Sequence, residues 1–104
     1  MTKASRPHDE AVFELLREYP SSVDEYLAVA LEEVDADGGP HALLAALRHV
    51  AEVRGMSAVA ERAGMPRESL YRVLSPNGNP TIKTLLAVLN AAGLKLGIHR
   101  TRAV

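Results

Sequence analysis

The chain has 104 residues, no cysteine and a formal net charge of −1. That length fits one domain with a modest core. The lack of Cys excludes a disulfide framework or thiolate metal site, and no apolar run approaches the roughly 20 residues of a membrane helix. The opening MTKASRPHDE has no apolar signal stretch, so the chain reads as a soluble cytoplasmic protein. The near-zero charge is a cancellation. Residues 1–40 hold three cations against ten carboxylates, a formal −7, and residues 41–104 hold nine against three, +6. Such asymmetry suggests two surfaces for two kinds of partner; lopsided helix faces are the plainer alternative.

Apolar residues recur at helical spacing almost throughout. Val12, Leu15, Leu16 and Tyr19 stripe a first helix over about 8–18, stopped by Pro20. Ser22 and Glu25 have the spacing of a capping box. They open a second helix that carries Val23, Tyr26, Leu27, Ala30, Leu31 and Val34 and ends at DADGG. Pro40 suits a first helical position, and Leu43, Leu44, Leu47, Val50 and Ala51 stripe a third helix closed by Gly55. A fourth helix covers about 56–63 and a fifth about 66–74. SPNGNP is a loop dense in turn residues. Asn79 then caps and Pro80 starts a sixth helix, with Ile82, Leu85, Leu86 and Leu89 inward and Gly93 as terminator. In LKLGIH, Leu94, Leu96 and Ile98 alternate with Lys95, Gly97 and His99, which is the period of a short strand. A lone strand is not stable. The same strand of a second copy would pair with it in a symmetric dimer; a frayed tail is the alternative.

The stretch RAGMPRESLYRVLSP, residues 62–76, holds the end of one helix, a tight turn and a second helix. Two helices joined by a short Gly-containing turn follow the helix-turn-helix plan. Ala60 supplies the small residue where the helices cross, and Gly64 tolerates positive φ in the turn. Val59, Met65, Leu70 and Val73 fill the angle between the helices, and Pro66 sets the start of the second. In such a plan the second helix enters the DNA major groove with its N-terminal residues nearest the bases. Arg67 sits there, and an Arg can donate two hydrogen bonds to guanine O6 and N7. Glu68 suits cytosine N4, Ser69 a base or a phosphate, and Tyr71 and Arg72 base edges or backbone one turn on. Asn77, Asn79 and Lys83 suit phosphate oxygens, together with the free N–H groups that open the sixth helix. Plainer readings stand beside these. Glu68 and Arg72 are four apart, in the order of an intrahelical ion pair, and Tyr71 suits the edge of the core.

GMSAVAERAG, RESLYRVLSPNGNP and TLLAVLNAAGLKL follow one another in residues 55–96. Together they resemble the probable addiction-module antidote family, small helix-turn-helix antitoxins of HigA-like type. HDEAVFELLREYPSSVDEYLAVALEE and ALLAALRHVAEVRG, which precede them, resemble the family too, so the likeness covers nearly the whole chain. The resemblance implies an all-α fold: a five-helix, lambda-repressor-like DNA-binding domain with an extra N-terminal helix. With the C-terminal strand, this divides the chain into an acidic helical segment, 1–36, and a helix-turn-helix domain, 37–104. It implies a homodimer that binds double-stranded operator DNA and represses its own operon. It also implies direct neutralisation of a RelE- or HigB-like toxin, a ribosome-dependent mRNA endonuclease encoded nearby. Carried onto this chain, the recognition positions are Arg67, Glu68, Ser69, Tyr71 and Arg72, and the loop positions are Asn77 and Asn79. The wider repressor class often has a Gln near the start of the first motif helix. Here GMSA stands in that place, and Ser57 would substitute through its hydroxyl.

An RNA-binding toxin should be basic, so the acidic first 40 residues suit it by charge. Phe13, Leu16, Tyr19 and Tyr26 are its candidate apolar anchors; packing of the extra helix on the domain is the alternative. Leu89, Leu94, Leu96 and Ile98 are the candidate dimer contacts, through the sixth helix, the strand or both. The four His (His8, His41, His49, His99) are scattered and read as surface residues. No catalytic constellation, phosphate loop or nucleophile elbow is present, so no enzyme activity, cofactor, metal, membrane or small-molecule substrate is expected. Two other readings share these features: a stand-alone prophage-type repressor with no toxin, and a protein-interaction module that has lost DNA binding.

Overall fold

In the computed structural model, residues 7–100 are described, with side chains from residue 10 onward. The described chain is all-helical: α1 (Pro7–Glu18), a 3₁₀ turn (Pro20–Ser22), α2 (Val23–Glu32), α3 (Gly39–Arg54), α4 (Met56–Ala63), α5 (Arg67–Val73) and α6 (Ile82–Ala91). The long α3 is the hub, touching α1, α2, α4 and α6, while α4 also packs on α5 and α6. The inner face of α3 (Leu44, Leu47, Val50, Ala51) meets Leu16 and Leu27 on one side and Val59, Leu70 and Val88 on the other. One continuous core therefore serves both the acidic N-terminal helices and the helices that follow.

The described elements differ from the sequence expectation in three places, two of them helix ends. Ser22 makes no capping bond, because its backbone is already helical (φ −82°, ψ −8°). Pro20 opens a 3₁₀ turn that runs straight into α2, and an N-cap side chain needs extended backbone instead. The cap of α6 is Thr81, not Asn79. Its backbone is extended (φ −75°, ψ 169°) and its hydroxyl accepts from the Thr84 amide at 3.2 Å. Ile82 and Leu86, expected inward, are 73% and 44% exposed, while Thr84, Val88 and Leu89 are buried: the face of α6 that packs on α3 and α4 is the one carrying Thr84 and Val88. Third, residues 94–100 form no strand, and there is no strand among the described residues. A strand needs a neighbouring edge to bond, and here the segment's backbone runs on without one.

His49 corrects a different expectation. It is buried, 3% exposed, on the inner side of α3. Its Nδ1 and the Tyr26 hydroxyl form a 2.6 Å hydrogen bond, and the two rings stack with centroids 6.0 Å apart. A buried imidazole without a partner would be costly; the tyrosine of α2 removes that cost.

Candidate nucleic-acid interface

α4 stops at Gly64, whose φ of 71° and ψ of 36° place it in the left-handed region. The Gly64 amide donates to the Glu61 carbonyl at 3.1 Å and the Met65 amide to the Ala60 carbonyl at 3.0 Å. That reciprocal pair is a Schellman ending. Pro66 then extends the chain (φ −63°, ψ 153°) and its carbonyl accepts from the Leu70 amide at 3.1 Å, which starts α5. Val59, Ala60, Ala63, Leu70 and Leu74 are buried where the two helices meet. The result is a helix, a tight turn and a short second helix seated by its apolar side.

The opposite side of α5 is presented outward. Arg67, Glu68, Tyr71 and Arg72 are exposed, and Ser69 is half-buried. Arg67 lies over the Tyr71 ring, 5.5 Å from its centroid, with a long 3.5 Å contact from Nη2 to the phenol oxygen. This stacking holds the guanidinium beside the first turn of the helix. Arg72 donates to Ser69 Oγ at 3.3 Å and not to Glu68, so the intrahelical ion pair is not the arrangement adopted. Tyr71 is 38% exposed and belongs to this surface more than to the core edge.

Ser57, exposed on the first turn of α4, lines a cleft of about 510 Å³ together with Arg67, Tyr71, Glu52 and Phe13. The structure thus brings Ser57 to Arg67 and Tyr71 of α5. It also brings Phe13 of α1 there, away from Tyr19 and Tyr26, with which the sequence had grouped it. Asn77 and Asn79 are exposed on the loop after α5. That loop is held to the helix end: Ser75 Oγ donates to the Arg72 carbonyl and the Gly78 amide to the Ser75 carbonyl, both at 2.8 Å. A Cβ at Gly78 would overlap the Val73 carbonyl, so only glycine lets the loop fold this close. Lys83 is exposed near the Gly64 turn and lines a hollow with Arg62 and Asn90; Arg62 donates to Asn90 Oδ1 at 3.5 Å.

Two cations escaped the sequence reading. Arg62 stands two residues before the turn, and that position is the signal for it. Arg48 had no local signal. From α3 it donates through Nη1 to the Leu74 carbonyl at 2.9 Å, fastening the end of α5 to the hub helix. Of the other candidate residues, Leu16 and Leu89 are buried at 1% and 3% exposure and are core packing in this chain. Tyr26 is half-buried against His49, Tyr19 is exposed, and Leu94 is half-buried against the core. Leu96 and Ile98 are exposed. Among the described residues no group of three His, Cys, Asp or Glu converges to hold a metal ion, and no helix is long and apolar enough to cross a membrane.

This arrangement offers one guanidinium at the start of a helix, a second one turn on, and hydroxyl and amide groups flanking both. Chemically it can donate hydrogen bonds to base edges and to phosphate oxygens. Comparison with known proteins gives the same chain a relative in Haemophilus influenzae, described as an uncharacterized protein. It is 35% identical over 79 residues, 76% of this chain and 81% of the relative. No solved structure matches. The family described as probable addiction module antidote protein matches residues 12–100. The chain therefore belongs to the probable addiction module antidote protein family.

Proposed function

We propose that this chain is an antitoxin with two working surfaces. One binds operator DNA and represses the operon; the other holds a RelE- or HigB-like toxin encoded beside it. Membership of an antidote family supports the antitoxin role and implies a toxin as partner. The DNA half rests on one observation: the side of α5 away from the core carries Arg67 at its first position with Tyr71 and Arg72 one turn on. In this reading Arg67 reads a guanine, Glu68, Ser69, Tyr71 and Arg72 contact neighbouring bases or backbone, and Ser57, Asn77, Asn79 and Lys83 hold phosphates. The helices form a lambda-repressor-like helix-turn-helix domain that works as a homodimer. Leu96 and Ile98, with the outward Ile82 and Leu86, are the apolar surface available for that pairing.

The test is fluorescence anisotropy of the chain on its own upstream DNA and on a scrambled duplex, across a salt series. The reading requires a marked preference for its own DNA and an affinity that falls as salt rises. Weak and equal binding to both duplexes would refute it and leave α5 as scaffold.

A further inference from the structure

A second concave surface lies among α1, α2 and α3. Its volume is about 580 Å³, within the roughly 300–1,000 Å³ range of concave binding sites. Ala42, Ala45, Ala46 and His49 line it from α3, at the i, i+3, i+4, i+7 spacing of a single helix face. Leu15 lines it from α1 and Val29 from α2, and each leaves half its surface in water, 51% and 54%. Single exposed apolar side chains are ordinary. Two of them flanking a floor of alanines form a slot into which a helix backbone can approach closely. The Tyr26–His49 bond lies in the same groove.

Charge selects the occupant. Glu25 and Glu33 line the groove and no Lys or Arg does. Across residues 10–33 there are seven carboxylates, all exposed, and Arg17 is the one cation. Such a rim repels phosphodiesters, so nucleic acid is not the guest. It attracts a segment with basic flanks and speeds its encounter.

We infer that this groove receives an amphipathic helix of the partner toxin. The apolar stripe of that helix enters between Leu15 and Val29, and its Lys or Arg flanks lie opposite Glu25 and Glu33. The inference rests on the antitoxin reading and narrows the toxin surface from the acidic segment to one slot. It also reassigns the anchors. The exposed Leu15 and Val29 stand in for the buried Leu16, Tyr26 lines the groove, and Phe13 lines the cleft beside Arg67.

Deleting α1 and α2 would not test this, because Leu16, Val23 and Leu27 belong to the shared core. Substitutions on the exposed walls would. The full chain and its Val29→Lys and Leu15→Lys variants are titrated with the protein encoded by the adjacent gene, with Glu61→Gln as a remote variant of equal charge change. Both wall variants should weaken the complex by about tenfold or more, since each replaces an apolar wall with a hydrated ammonium that also repels the basic flanks of the incoming helix. Glu61→Gln should not change it. The Glu25→Lys/Glu33→Lys chain should associate more slowly and lose its salt dependence. Operator binding by each variant, measured in parallel, reports that the fold is intact. Binding of both wall variants as tight as the parent's would overturn the inference. So would a wall variant that turns a dimer into a monomer by light scattering, because the occupant would then be a second copy. If the parent itself does not bind the neighbouring protein yet binds its operator, the antitoxin reading fails and the groove assignment falls with it.

Discussion

Arg48→Met isolates the link between the hub helix and the outward face of α5. Arg48 Nη1 donates to the Leu74 carbonyl at 2.9 Å, half-buried. Leu74 directly follows α5, and its own side chain is 0% exposed. Carbonyls at a helix end lack intrahelical partners, and a cation placed there also meets the negative end of the helix dipole. Methionine keeps most of the apolar stem and removes every donor. A hydrogen bond to a charged group contributes about 1.5–3 kcal/mol; partial solvent access favours the lower end, so the expected loss is about 1.5 kcal/mol. With an m-value of about 1–3 kcal/mol/M in urea, the midpoint should fall by roughly 0.5–1.5 M at unchanged m. Operator affinity should fall as well, because α5 has only 7 residues and the Arg48 bond is what ties its end to α3. A midpoint shift below about 0.2 M would show that Arg48 does not secure the helix.

Other perturbations probe the same unit. Arg67→Ala should cost about 1–3 kcal/mol of operator affinity and relax base preference at one position, measured by anisotropy on single base-pair variants, while the melting curve stays in place. Gly64→Ala puts a β-carbon on a residue with φ 71°, at a cost of about 1–2 kcal/mol; urea unfolding reads it. The new β-carbon would lie 3.0 Å from Lys83 Nζ, which can swing away, so the cost is in the backbone and not in a clash. Leu70→Ala empties a site that is 0% exposed and should destabilise by about 2–5 kcal/mol. Loss below about 1 kcal/mol would mean that α5 is not seated as described.

What could be read from the sequence was local. The end of α4 at Gly64 and the end of α6 at Gly93 were legible, because a left-handed glycine after an apolar stripe has few other uses. The exposed set Arg67, Glu68, Tyr71, Arg72 followed from the 3.6-residue period once α5 was placed. Asn79 and Thr81 are both good caps by residue type, and only the extended backbone at Thr81 distinguishes them. Ile82 and Leu86 share the apolar spacing of Leu85 and Leu89, and only the packing of α6 on α3 and α4 decides which part of that stripe is covered. Arg48 and Leu74 are 26 residues apart, and Tyr26 and His49 are 23 apart. Neither contact leaves a trace in spacing. The position of Phe13 beside Arg67 depends on how α1 lies across α3, again a tertiary fact. The strand reading of 94–99 had the right alternation but no partner within the chain.

The most direct test of the two-surface account is a ¹⁵N NMR titration of the whole chain with its own upstream duplex. The account predicts amide shifts at Ser57, across Arg67 to Arg72 and at Asn77 and Asn79, with the Leu15–Val29 groove unmoved. Shifts confined to α1 and α2 with α5 silent would contradict it, and so would a spectrum that the duplex leaves unchanged.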